Sequence, residues 1–207
     1  MWHWRVPTDK AAYDAKDVNK YDSSIKGEHG GSGTEFDIRE ALKEGTWQNE
    51  CIMADIDKVA GYLKLLQDAN IPVLWRPLHE AAGSYKYDGA WFWWGRYGDE
   101  YPKKLWDLLY DRLVNHHGLN NLIWVWTAQY EQGFEAQMAA SYPGNDKVDI
   151  VGVDIYADDD NAQKAAYDAL AAMTQGKRIV TISETGRIQN PDKCFAEGAA
   201  WSWFNLW

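Results

Sequence analysis

The chain alternates between short, almost wholly apolar runs and longer stretches in which apolar residues return every three or four positions, with polar linkers between them. Val73-Leu74-Trp75-Arg76-Pro77-Leu78, bounded by Pro72, reads as a buried parallel strand with Arg76 tied to partners at its upper end. Residues 122–126, 148–156, 178–183 and 199–206 repeat that pattern. Residues 50–69 carry Ile52, Ile56, Val59, Leu63 and Leu66 at helical spacing, and residues 99–117 do the same with Leu105, Leu109 and Leu113 before a stop at Gly118. Residues 133–141 and 162–173 predict two shorter helices.

Strands with no wet face, each followed by a helix, predict a parallel sheet covered by helices. Five such strands follow an opening fragment, Met1-Trp2-His3-Trp4-Arg5-Val6-Pro7, which has the look of a strand's last residues running into a loop. Residues 10–45 are polar and rich in Gly, Ser, Asp and Lys. They read as a long βα loop with little regular structure, most flexible at Gly30-Gly31-Ser32-Gly33. A sheet that closes needs eight strands and about 250 residues. The expectation for these 207 residues is therefore a single domain that is part of a longer barrel, without its first strands and last helix.

Charge narrows the partners. With 21 basic against 31 acidic residues the net charge is -10, which argues against nucleic acid or an anionic membrane and favours a neutral ligand. No apolar run is long enough to span a bilayer, and the opening residues do not form the basic and apolar regions of a signal peptide. Thirteen Trp and 12 Tyr exceed what a core of this size needs, so some are expected to line a cleft. Cys51 and Cys194 are expected to be free thiols.

The candidate chemistry stands where the strands stop. His79 and Glu80 fall at the carboxyl end of the first apolar run, where barrel folds place catalytic groups, and Trp91-Phe92-Trp93-Trp94-Gly95 follows after a small polar loop. A zinc-protease motif would need a second His one helical turn on, where Gly83 stands, so no metal is expected. Glu184 ends the strand at 178–183 in the same way. Two such glutamates can face each other across one barrel mouth. Glycoside hydrolysis needs that pair, one carboxyl protonating the leaving oxygen and the other attacking the anomeric carbon or activating water. The residues by themselves leave open which Glu takes which part. His116 and His117, in the last turn of a helix, are expected to interact with its dipole.

Arg76-Pro77-Leu78-His79-Glu80 with Trp91-Phe92-Trp93-Trp94-Gly95 resembles the signature of family 26 glycoside hydrolases, chiefly endo-β-1,4-mannanases. Ile182-Ser183-Glu184-Thr185-Gly186 resembles their nucleophile segment, and the match runs through the whole chain. The resemblance implies a (β/α)8 TIM barrel, here incomplete, running from the end of strand 3 through strand 8. It implies retention of configuration without a cofactor, with Glu80 as acid/base and Glu184 as nucleophile. It further implies that His3 and His79 contact sugar, that Tyr156 hydrogen-bonds the nucleophile and that Trp91 stacks on substrate. Trp203, preferred over Trp201, would form the floor of the subsite. The loop at 84–90 is longer than the family's link between Glu and Trp, so the substrate rim is expected to differ. The implied substrate is β-mannan or galactomannan. Mixed-linkage β-glucan or β-xylan, and a non-catalytic glycan-binding domain, are the alternatives. A polymer substrate implies a secreted or cell-surface protein, and a monomer is expected.

Overall fold

The computed structural model describes residues 1–26, 33–81, 83 and 91–207. The expectations for residues 30–32 and for the loop at 84–90 lie outside the described residues. After residues 1–5 come β1 (Val6–Pro7), α1 (Lys10–Ala15) and β2 (Tyr21–Asp22), with β1 and β2 paired antiparallel. Next are α2 (Ile38–Ala41), α3 (Trp47–Asp68), β3 (Val73–Trp75), α4 (Glu100–Tyr110) and β4 (Leu122–Gln129). The chain continues through α5 (Glu135–Ala140), β5 (Ile150–Ile155), α6 (Lys164–Met173), β6 (Ile179–Thr185), α7 (Pro191–Glu197) and β7 (Phe204–Leu206).

Strands β3 to β7 form one parallel sheet in sequence order, each joined to the next through a helix. Trp2 extends it beyond β3 through a parallel bridge to Pro77, its N–H donating to the carbonyl of Arg76 at 3.0 Å. The result is a partial (β/α)8 barrel. Every residue of β5 is buried, as a strand covered on both faces requires. One contiguous core runs from Trp4 and Val6 through Ile52, Ile56, Trp93, Leu105 and Trp124 to Leu170.

Six elements differ from the sequence expectation. The stretch at 10–45 holds α1 and α2 rather than a bare loop, because Asp9 and Asp37 cap their first turns by accepting backbone N–H bonds. Helix α3 begins before residue 50 because Thr46 Oγ1 caps Asn49 N. Strand β3 is short and Leu74 is half exposed, since it lies near the sheet's edge and not in its middle. Helix α7 lies outside the predicted elements, although Asn190 as N-cap, Pro191 at the first position and Gly198 in the left-handed region at its end are its start and stop signals. The helix expected at 99–117 is α4 followed by a π-helical turn over Asp111–His116. There His117 and Arg112 both bond Asp57 of α3, so a carboxylate partner, in addition to the helix end, accounts for His117. Cys51 and Cys194 are free.

Candidate active site

Consecutive parallel strands bring their carboxyl ends together, and four of them meet on one guanidinium. Arg76, just past β3 and 9% exposed, donates Nε to Thr127 Oγ1 on β4 at 3.0 Å. Its Nη2 forks onto both oxygens of Asp154 on β5 at 2.8 and 2.6 Å, and Nη1 reaches Glu184 Oε1 on β6 at 2.7 Å. A buried guanidinium is tolerated only where its donors are met in this way.

The register explains how Glu184 comes to lie beside Asp154. Val153 pairs with Ile182 but Asp154 pairs with Glu184, so Ser183 is an extra residue on β6, a bulge that re-aims the side chain after it. Gly152 makes room for this. A Cβ there would stand 2.3 Å from Ser183 Oγ and 2.9 Å from Thr181 Cγ2.

Glu80 reaches the mouth by a different route. Leu78 and Glu80 both hold positive φ, 51° and 52°, a region that strains residues with a Cβ and is found where function over-determines the backbone. The Glu80 N–H is anchored on Thr127 O at 3.2 Å. Its carboxyl is buried, and Oε2 accepts the indole N–H of Trp91 at 2.6 Å. One oxygen from each of Glu80, Asp154 and Glu184 lies within 4.8 Å of the others. Burial pushes the Glu80 carboxyl up, the charge of Glu184 adds to this, and the Trp91 bond opposes it. Asp154 is also pushed up by burial, with Arg76 pulling the other way. Two of the three carboxyls, Asp154 and Glu184, pair with the one guanidinium, and Glu80 is the member that Arg76 does not touch. Glu184 takes one bond on each oxygen, from Arg76 and from Tyr156 Oη at 2.8 Å. That arrangement suits a carboxylate, because the guanidinium can only donate and the hydroxyl donates to the second oxygen.

The sequence candidates converge on one cleft of about 270 Å³, which Glu80, Glu184, His3, His79, Trp91 and Tyr156 all line. Tyr156 is half exposed at the rim, and its hydroxyl pKa is raised by burial and by the bond to Glu184. His79 is buried against Phe92 with ring centroids 4.6 Å apart, and desolvation, with Arg76 and His3 nearby, depresses its pKa to about 3. It is a neutral imidazole at working pH. His3 bonds Ser23 and faces His79 at 5.2 Å. The aromatic run divides its labour: Trp91 meets Glu80, Trp94 donates to the carbonyl of His79 at 2.9 Å, and Trp93 is fully buried in the core.

Trp203 does not line the cleft; Trp207 does. Register decides this, since Phe204 pairs with Ile182 and Leu206 with Thr185, leaving Trp203 back along the sheet with its carbonyl bonded to Ile182 N and Thr181 Oγ1. Trp207, one residue beyond the strand, stands at the mouth with its N–H on Thr185 O at 3.1 Å. Trp201 packs edge-on against Tyr167 and donates to Ala162 O. Gln129, at the carboxyl end of β4, also lines the cleft and was not singled out from sequence, although its place at a strand end was the available signal. A second hollow of similar size, between β6, α7 and β7, is walled by Ile182, Phe195, Trp201 and Phe204 and brings together no pair of acids.

The profile of glycosyl hydrolase family 26 matches residues 2–207. The chain belongs to that family. It is 41% identical over its whole length to mannan endo-1,4-beta-mannosidase B of Piromyces sp. and 40% identical to a mannan endo-1,4-beta-mannosidase of Thermothelomyces thermophilus. It spans 31% and 39% of the length of those two curated relatives. Among solved structures, a beta-mannanase from a symbiotic protist of the termite Reticulitermes speratus, complexed with gluco-manno-oligosaccharide, superposes on the whole chain with a TM-score of 0.81 at 40% identity, the chain covering 56% of it. A ruminal family 26 endo-beta-1,4-mannanase gives 0.88 at 30% identity, with 44% of that structure covered. In these family 26 relatives the matched segment is part of a longer chain.

Proposed function

We propose that residues 1–207 carry the catalytic centre of a retaining endo-β-1,4-mannanase that cuts mannan or galactomannan by double displacement. The observation that carries this is the pair of buried carboxyls, Glu80 and Glu184, with oxygens within 4.8 Å but with opposite partners. Retaining glycosidases hold their two carboxyl groups about 5 to 5.5 Å apart, whereas inverting ones leave about 6.5 to 9.5 Å for a water.

In the first step the Glu80 carboxyl gives its proton to the glycosidic oxygen as the bond to the anomeric carbon breaks. The bond's electron pair leaves with that oxygen, and Glu184 attacks the anomeric carbon from the opposite face to form a glycosyl ester. Glu80, now a carboxylate, then takes a proton from water, whose oxygen displaces Glu184 and restores both groups. Arg76 and Tyr156 hold Glu184 in place between the two steps. His79, kept neutral, and His3 hydrogen-bond sugar hydroxyls, while Trp91 and Trp207 offer apolar faces to the rings. The substrate reading is supported by the two curated relatives, both mannan endo-1,4-beta-mannosidases. A polymer substrate of this kind supports a secreted or cell-surface protein.

Reducing-sugar release from galactomannan and from mixed-linkage glucan, with Glu184→Ala as control, tests the reading. Release from mannan that the control abolishes supports it. Preference for glucan would replace the substrate, and binding without release would make the site a glycan-binding cleft.

A further inference from the structure

Trp91 does more in this geometry than offer a ring face. Its indole N–H points at Glu80 Oε2 from 2.6 Å, a short bond for a nitrogen donor, and an N–H can only donate. An oxygen that already accepts this bond is a poor place for a proton. The other oxygen, Oε1, is the one left to carry it. The remaining charged groups facing Glu80 are Glu184, Asp154 and Arg76, and none of them is on the segment that holds the indole. Two of these three, Asp154 and Glu184, are themselves fixed by Arg76, so the oxygen chosen by Trp91 sits in a rigid frame.

We propose that Trp91 is a positioning residue for acid catalysis: its N–H engages Glu80 Oε2, so that Oε1 carries the proton and delivers it to the leaving oxygen. This rests on the reading of Glu80 as the general acid. In the step itself the Oε1–H bond breaks, the proton joins the departing glycosidic oxygen, and the negative charge left on the carboxylate is met at Oε2 by the indole N–H. The bond is thus worth more after transfer than before it, which is how a donor assists an acid.

The test replaces Trp91 by Phe and, as an isostere that keeps both rings, by β-(3-benzothienyl)alanine, which lacks only the N–H. Two substrates are compared by kcat/KM: a mannan oligosaccharide, whose leaving oxygen needs a proton, and a 2,4-dinitrophenyl β-mannoside, whose leaving group does not. For both replacements kcat/KM on the oligosaccharide should fall about 10- to 100-fold and on the dinitrophenyl glycoside less than about threefold. Because the indole bond favours the charged carboxylate, its loss should move the alkaline limb of the oligosaccharide profile up by about one pH unit. An isostere that behaves as the parent, or equal losses on both substrates with an unmoved limb, would overturn the proposal and leave Trp91 a stacking residue. Glu80→Ala separates the underlying reading. On the dinitrophenyl glycoside it should keep kcat/KM while kcat falls, because the water of the second step has lost its base, and azide should restore kcat as the glycosyl azide forms; loss of kcat/KM on both substrates without rescue would remove Glu80 as the acid, and Trp91's role with it.

Discussion

The two ends of the cleft hold the same side chain in contrasting surroundings. Glu184 extends from the carboxyl end of a long buried strand, is set by a bulge, and takes a cationic donor and a hydroxyl on its two oxygens. Glu80 sits past the end of a three-residue strand, on strained backbone, with a neutral indole as a short donor to Oε2. The first arrangement suits a carboxylate that must attack. The second suits an acid that must give up a proton and take it back. Identical chemistry in the residue thus becomes complementary chemistry in the site, and the difference comes entirely from the neighbours.

The contrast can be broken from either end. Glu184→Ala should remove the attacking oxygen and cut turnover of galactomannan by about 10⁵-fold or more, read from initial rates; residual activity within about tenfold of the parent would mean another group attacks. Next in size is Arg76→Met, which leaves Asp154 and Glu184 buried without their shared cation. It should lower unfolding free energy by about 3 to 5 kcal/mol in a urea titration, and a loss under about 1 kcal/mol would show that the guanidinium is not the hub drawn here.

The bulge offers a finer probe. Gly152→Ala drives a methyl into Ser183 Oγ, and a loss of about 1 to 3 kcal/mol is expected together with lower kcat, because the displaced residue adjoins Glu184. A variant as active and stable as the parent would mean that the bulge does not set the nucleophile. The smallest effect is expected far from the mouth, at Asp57, whose carboxyl is held down to about 2 chiefly by its bond to Arg112, with His117 adding to it. A depressed carboxylate stabilises the fold above its unfolded value, and that contribution is lost as pH falls through about 2. With a side chain 41% exposed, Asp57→Asn should cost under about 1 kcal/mol near neutrality, without changing turnover, and should flatten the acid limb of stability between about pH 4 and 2. An unchanged acid limb would show that the Arg112 bond does not form in solution.

Much of this was legible in the chain because it depends on period and place. The apolar runs at 122–126 and 178–183 are strands, and the groups just beyond the runs, His79, Glu80 and Glu184, are the ones gathered at the mouth. What could not be read depends on register and on contacts between distant segments. Whether Trp203 or Trp207 faces the cleft is a matter of where β7 starts, and an apolar run does not specify its own alignment with β6. The bond from Trp91 to Glu80 needs the backbone turn at Glu80, which no residue type there announces. Helix α7 is a different case: its caps stand in the sequence, but none of its residues is buried, so no apolar stripe marks it.

The most direct test of unequal roles is to trap the glycosyl ester with a 2-deoxy-2-fluoro mannosyl fluoride and locate the label by peptide mass spectrometry. The account predicts a single label, on Glu184. A label on Glu80 or Asp154, or inactivation with no covalent label on the protein, would contradict it.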